Sequence, residues 1–265
     1  MVLVALFAPI SVLNVFSQTA EPKNVDSEFL QEPFNPNIER LPVGFMGHNH
    51  KEVIQGLTKL QLQMMKGEFE TTEEYKRRNK SGIPLFGSVL PDSTLAFVAL
   101  AESFEEVRYD ADRGIMTIQP SGNYKAYQRG VNLRIYTTED YISEGRTGLG
   151  IPINVRITKQ IREPLLFPNR KSFKSFDWSF NGVDVRIRIP LPPLVAREVK
   201  DYLGLVFIGK LASYEVKNES GSLPATVSSP SALYSEWTHI KLNLSEFWVV
   251  DMKTGQILLR EIAKQ

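Results

Sequence analysis

The hydrophobic positions after residue 48 recur at helical spacing and predict two short helices joined by a tight turn. Asn49 can accept hydrogen bonds from the first turn of the first helix, whose apolar residues run through 53–65. Gly67 is expected to end this helix in a left-handed conformation. Thr71 and Glu74 have the spacing of a capping box, so they predict the start of the second helix.

From residue 93 the pattern changes to a period of two, which predicts β-strands. In 95–100 both alternating sets of residues are apolar, so this strand is expected to be covered on both faces. A turn at 110–114 joins the next two strands into a hairpin. The strands predicted after residue 100 cover 104–109, 115–119, 131–136, 151–161, 205–216, 237–250 and 256–262.

The dipeptide Asn181-Gly182 lies between two alternating segments and predicts a β-hairpin with a two-residue turn. A turn of this length fixes the register of the two strands. Trp178 is then expected opposite Val185, and Asp177 opposite Arg186. The face that carries Trp178 is predicted to be buried, and the face that carries Asp177 to meet solvent.

Two further segments complete the predicted fold. Residues 194–203 have the pattern of a short helix, and residues 217–232, rich in Ser, Pro and Gly, that of a mobile loop. Together the elements predict an α+β fold, a mostly antiparallel β-sheet with two short amino-terminal helices and one later short helix. The expected organisation is a signal peptide at 1–20, an extended linker or arm at 21–47, and a single α+β domain at 48–265.

The first twenty residues have the pattern of a signal peptide. Residues 2–16 are almost entirely apolar, which is short for a membrane-spanning helix but typical of an export signal. Cleavage is expected after Ser17 or Ala20, which would leave no transmembrane span. No Lys or Arg precedes the apolar segment, which a start codon further upstream would explain. A buried amino-terminal helix is the alternative interpretation of this segment. The sequence thus predicts a bacterial periplasmic or secreted protein.

Composition narrows the classes of function. The chain has 265 residues, a net charge of +1 and no cysteine. A near-neutral charge argues against nucleic-acid binding, which usually requires a basic surface. The lack of cysteine excludes disulfides, thiol catalysis and thiolate metal sites.

Candidate chemistry is sparse, because the chain has only three histidines. His48 and His50 have a spacing that can supply two zinc ligands, but no further ligand lies nearby. His48 and His50 are therefore a weak candidate for a metal site, and the favoured interpretation is that they form a polar start of the helix. His239 is interpreted as a residue on the face of a strand. No serine-hydrolase motif occurs, and the glycine-rich segment 145–150 precedes a strand instead of a helix. We expect no cofactor, and no catalytic residue is identified.

A few large side chains are candidates for an interaction surface. Aromatic residues are concentrated late in the chain, as in sugar-binding surfaces, although at strand spacing they more often belong to a core. The candidates are Trp178, Arg186, Arg188 and Trp237.

Residues 66–78, KGEFETTEEYKRR, resemble a KGEFETTxEYxxR segment of uncharacterised exported bacterial proteins. The resemblance implies an envelope location and no known activity. The same residues are also explained physically, as a turn between two helices.

The leading functional hypothesis is a non-enzymatic envelope protein that binds another envelope protein or a cell-surface component. One alternative is an envelope hydrolase or glycan-active enzyme whose carboxylates are brought together by folding. An acidic cleft beside Trp178 or Trp237 would favour it. The other alternative is a carrier of a small apolar ligand, held between the sheet and the amino-terminal helices.

Overall fold

The structure is a computed structural model, and it describes residues 29–74, 83–122, 129–146, 150–168, 173–178 and 184–264. The predicted signal peptide lies outside the described residues. So do the Asn181-Gly182 turn and the predicted second helix beyond its first turn at 72–74.

The described residues form two α-helices longer than one turn, two short 3₁₀ helices (Ala101–Ser103 and Lys200–Tyr202) and twelve strands. The α-helices are α1 (His50–Met64) and α2 (Pro193–Val199). The strands are β1 (Leu95–Leu100), β2 (Phe104–Asp110), β3 (Ile115–Pro120), β4 (Gly130–Arg146), β5 (Pro152–Leu166), β6 (Phe176–Trp178), β7 (Val185–Pro190), β8 (Leu203–Leu211), β9 (Asn218–Leu223), β10 (Ser231–Thr238), β11 (Ile240–Asp251) and β12 (Gln256–Ile262).

The strands form two sheets. The larger has eight strands in the order β1-β8-β11-β5-β10-β9, with β12 paired to β11 and β4 paired to β5. The smaller has the order β2-β3-β7-β6 and is antiparallel. The larger sheet is mixed, because β10 and β11 both run parallel to β5. The predicted α+β class is therefore confirmed in its coarse form, a strand-dominated fold, with one described amino-terminal helix and one helix after β7.

Helix α1 begins as predicted but ends earlier. The side chain of Asn49 accepts hydrogen bonds from the backbone N–H groups of Lys51 (2.9 Å) and Glu52 (3.4 Å). The helix ends at Met64, so Gly67 is not its stop, and Gly67 does not have the left-handed conformation expected of it. Its N–H instead donates to the carboxylate of Glu70 (3.1 Å).

The predicted capping box downstream is present. The N–H of Thr71 donates to the carboxylate of Glu74 (2.9 Å), and the N–H of Glu74 donates to the hydroxyl of Thr71 (3.2 Å). These reciprocal bonds satisfy two N–H groups that a helix start leaves unpaired.

Strand β1 is buried on both faces, as its apolar pattern predicts. Leu95, Phe97 and Ala99 belong to the main core, which lies between the two sheets and the helices. Ala96 and Val98 face a second core on the outer side of the larger sheet. The described part of the predicted arm covers this outer core by packing Phe34, Leu41 and Phe45 onto the sheet.

The β6–β7 hairpin has the predicted register. Trp178 is paired with Val185, and Asp177 with Arg186. The carboxylate of Asp177 forms an ion pair with Arg188 (3.0 Å), which lies two residues after Arg186 on the same exposed face of β7.

The segment 217–232 is not the single loop that its composition predicts. Six of its residues form β9, which pairs antiparallel with β10 and leaves only 224–230 as the connection. The long strand predicted over 237–250 is also two strands, since β10 begins at Ser231 and is separated from β11 at His239. These differences bring β9 to the edge of the larger sheet, where the candidate site lies.

Candidate ligand-binding cleft

A cleft of about 580 Å³ lies between the amino end of α1 and the larger sheet. It is lined by the first two turns of α1, by residues 161–162 of β5, 218–220 of β9 and 236–238 of β10. Volumes of this order are typical of sites for small ligands.

The floor of the cleft is a row of three side chains across three adjacent strands. Trp237 of β10 is paired with Arg162 of β5 on one side and with Glu219 of β9 on the other. Directly paired residues share a face of a sheet, so all three side chains lie on the same face. The indole Nε1–H of Trp237 donates to the carboxylate of Glu219 (3.2 Å), which fixes both side chains.

The roof of the cleft is one side of α1. Lys51, Ile54 and Gln55 have the spacing i, i+3 and i+4, which places them on one side of a helix. The apolar residues Val53, Leu57 and Leu60 lie in the main core and hold the helix against the sheet. The helix therefore presents mixed polar and apolar groups to the polar floor.

Two buried histidines lie where the helix meets the floor. His50 lines the cleft and is 6% exposed, and its Nε2 is 3.4 Å from the carbonyl oxygen of Pro164. Burial lowers the pKa of His50 from 6.5 to about 4. His239, two residues after Trp237, is 8% exposed, and burial lowers its pKa as well. Its Nδ1 has no hydrogen-bond partner within the described part of the chain.

His48 has a structural role. The N–H of Ala96 donates to its Nδ1 (2.9 Å), so the proton of the neutral ring is on Nε2, which donates to the carbonyl oxygen of Glu32 (2.9 Å). Both ring nitrogens are thus engaged by the backbone. Among the described residues, no group of three or more His, Asp or Glu side chains is placed to hold a metal ion.

A smaller pocket of about 110 Å³ adjoins the cleft and shares His50 and Lys51 with it. It contains Glu163, which is 6% exposed and whose pKa is raised by burial. Lys51 and Arg134 favour the ionised carboxylate and partly offset this effect. The ammonium group of Lys51 also lies 5.1 Å from the centre of the Tyr136 ring, so this side chain borders both cavities.

The cleft brings together only some of the residues that the sequence singled out. Trp237 and His50 both line it. Trp178, Arg186 and Arg188 lie on the smaller sheet, with Trp178 packed against the main core and the two arginines on the opposite, exposed face.

Sequence reasoning missed Arg162, Glu219 and Lys51. Glu219 could not be identified because its segment has the composition of a loop. Arg162 could not be identified because no local sequence pattern predicts the parallel pairing of β5 with β10. The helix pattern did place Lys51 beside the capped start of α1, but nothing in the sequence shows which strands that end of the helix faces.

None of the helices in the described ranges is long and apolar enough to cross a membrane. Comparison of the chain with known proteins gave no matching family model, no matching curated protein and no matching solved structure.

Proposed function

We propose that this protein is an exported, non-enzymatic binding protein that holds a saccharide of the cell surface in the cleft between α1 and the Arg162–Trp237–Glu219 row. The observation that carries the proposal is the polar floor. A sheet face beneath a helix is normally apolar, and a departure from this pattern is typical of a functional site.

The chemistry of the cleft supports a saccharide. Hydroxyl groups both donate and accept hydrogen bonds, so they are matched by carboxylate, guanidinium, amide and hydroxyl side chains. The floor supplies a carboxylate, Glu219, and a guanidinium, Arg162, and the roof adds the amide of Gln55. Ile54 of the roof adds apolar surface for the C–H groups of a sugar ring.

The enzymatic alternative has weaker support. The cleft holds Glu219 and Glu236 beside Trp237, which is the kind of site that a glycan-active enzyme requires. Successive residues of a strand point to opposite faces, so Glu236 is directed away from the face that carries Trp237 and Glu219. A pair of carboxylates acting on one glycosidic bond would need to share a face.

The apolar-carrier alternative also has weaker support. Val53, Leu57 and Leu60 pack directly into the core, which leaves α1 and the sheet in contact along this side. Met64 and Met65, the apolar residues at the carboxyl end of α1, are 46% and 69% exposed and do not line an enclosed apolar cavity among the described residues.

Export is part of the proposal and rests on the apolar segment 2–16 and the small residues after it. Sequencing the amino terminus of the protein recovered from its host tests this part. A start at Gln18 or Glu21 supports export, and a retained Met1 contradicts it.

Binding is tested by titrating the folded protein with oligosaccharides from bacterial envelopes and following the indole N–H signal of Trp237 by NMR. We expect a shift of this signal with a soluble N-acetylglucosamine oligomer or a muropeptide. Glu219→Gln and Arg162→Gln should each weaken binding about ten-fold or more, because each removes a charged hydrogen-bonding group from the floor.

Arg188→Gln is the matched control, since Arg188 lies on the exposed face of the smaller sheet. It should bind like the unchanged protein. Equal effects of Arg188→Gln and Arg162→Gln would contradict the cleft as the site, and a shift produced only by short zwitterionic peptides would replace the saccharide by a peptide ligand.

A further inference from the structure

We propose that proton uptake by His50 and His239 opens the cleft, so that the protein binds its ligand at neutral pH and releases it in acid. The release of a ligand rests on the proposed function above, whereas the opening itself does not.

The two histidines occupy the junction between the roof and the floor of the cleft. His50 is the first residue of α1, immediately before Lys51 in the roof. His239 is the single residue between β10 and β11 and follows Trp237 and Thr238, which line the cleft. A charge on either ring would therefore act at the place where the helix rests on the sheet.

Neither ring is held by a strong hydrogen bond. The Nε2 of His50 is 3.4 Å from the carbonyl oxygen of Pro164, near the limit for such a bond. The Nδ1 of His239 has no partner among the described residues. A protonated imidazole carries two N–H donors, so each charged ring would gain by moving towards water. His48 differs, because two short backbone contacts fix its ring.

The charged groups around His50 oppose its protonation in the closed cleft. Burial has the largest effect, and Lys51 and His239 add repulsion. Arg162 lines the same cleft as a further cation. Glu163 lies in the adjoining pocket and has a raised pKa of its own, so burial also weakens its charge as a counter-ion.

The charges around His239 are mixed. Glu219 and Glu215 favour its protonated form, and Lys217 and Lys241 disfavour it. Glu236, the other carboxylate of the cleft, is directed to the opposite face of the sheet. Burial remains the largest effect, and it lowers the pKa of the ring.

The sign of the linkage follows from these shifts. A histidine whose pKa is lowered in the closed state binds a proton more readily when the cleft is open and the ring is hydrated. The closed state is then favoured above pH 6.5, the ordinary pKa, and loses that preference as the pH falls towards about 4, the pKa of buried His50. At about pH 5 the equilibrium constant for opening should be about twenty-fold higher than at about pH 7 from His50 alone.

The opening is tested by hydrogen exchange of the full chain at about pH 7.5 and about pH 5, after correction for intrinsic rates. We expect the amide groups of 218–220 and 236–238 to lose protection in acid by at least about ten-fold. The amides of β7 in the smaller sheet serve as the internal reference and should change little. Equal losses in both sheets would mean global unfolding and would overturn the proposal, as would unchanged protection around the cleft.

The double variant His50→Gln/His239→Gln removes proton uptake while keeping polar side chains of similar size. It should exchange at the same corrected rate at both pH values. If it does not fold, the single variant His239→Gln should show a smaller pH effect than the unchanged protein. A full pH effect in the variant that folds would overturn the proposal.

Ligand release is tested with an N-acetylglucosamine tetramer as the probe. No binding at neutral pH would contradict the proposed saccharide, while the exchange experiment still decides whether the cleft opens. Binding that weakens about ten-fold or more between neutral pH and about pH 5 supports release. Equal binding at both pH values would overturn it.

Discussion

At the scale of single residues, Gly47 and His48 bond the segment before α1 to β1, the edge strand of the larger sheet. Gly47 has a φ of 67° and forms a bridge with Phe97. His48 then uses its backbone N–H and its ring to bond both polar backbone groups of Ala96. The unpaired edge of β1 is thereby closed just before α1 begins, which positions the roof of the cleft.

Gly47→Ala should lower the free energy of unfolding by about 2 kcal/mol or more. A Cβ atom at this position would lie 2.5 Å from the backbone oxygen of Ala96, and the left-handed conformation is itself unfavourable for alanine. Urea unfolding measures the change. Gly67→Ala is the matched control, because its Cβ would be 3.5 Å from the nearest atom and its φ is not positive. Similar losses in both variants would contradict this account.

At the scale of elements, the β6–β7 hairpin is held to the core by one face. Trp178 lies on that face and is partly buried. Its ring packs edge-on against Phe176, with 6.0 Å between the ring centres, and the guanidinium carbon of Arg129 lies 5.3 Å from the centre of the Trp178 ring. Phe176 in turn contacts Phe247 of the larger sheet at 4.6 Å between ring centres. The hairpin therefore joins the smaller sheet to the larger one through a short chain of aromatic contacts.

Trp178→Ala should lower the free energy of unfolding by about 2–3 kcal/mol, less than for a fully buried tryptophan, because part of the ring is exposed. Chemical denaturation followed by circular dichroism measures the loss. Arg186→Ala, on the opposite face of the same hairpin, should change stability by less than about 0.5 kcal/mol. A loss below about 1 kcal/mol for Trp178→Ala would mean that the ring contributes little to the junction of the sheets.

Sequence patterns predicted the elements whose signals are local. The Asn49 cap lies within a few residues of the groups it bonds, and the Asn181-Gly182 dipeptide correctly predicted the pairing of Trp178 with Val185. The prediction that Gly67 ends α1 was wrong, because the helix already ends at Met64.

Strand β9 could not be predicted because its residues, NESGSL, have little preference for a strand. It forms because β10 presents unpaired backbone groups at the edge of the sheet, and six residues of β9 pair with them. The candidate site depends on this pairing and on the parallel pairing of β5 with β10. Both join segments that are distant or unpatterned in sequence, so Trp237 and His50 could be named individually but not placed together.

At the scale of the whole molecule, the larger sheet separates two hydrophobic cores. The main core receives the smaller sheet, α1 and α2 on one side. The outer core is closed by the described part of the arm, where Phe34 meets Trp248 at 5.5 Å and Phe45 at 5.7 Å between ring centres. The N–H of Leu41 also donates to the carbonyl oxygen of Gly255 (2.9 Å), so the arm is bonded at several points. Residues 29–47 therefore form a structural layer of the fold.

Phe34→Ala tests this layer. Phe34 is 6% exposed, and its loss leaves a gap over Trp248, so the free energy of unfolding should fall by about 3 kcal/mol. The arm should also become the first site of cleavage in limited proteolysis, because the remaining contacts hold it less tightly. Val43→Ala is the matched control within the same arm, since Val43 is 61% exposed and should change stability by less than about 0.5 kcal/mol. If Phe34→Ala were as stable and as resistant to protease as Val43→Ala, the outer face of the sheet would not depend on the arm for its burial.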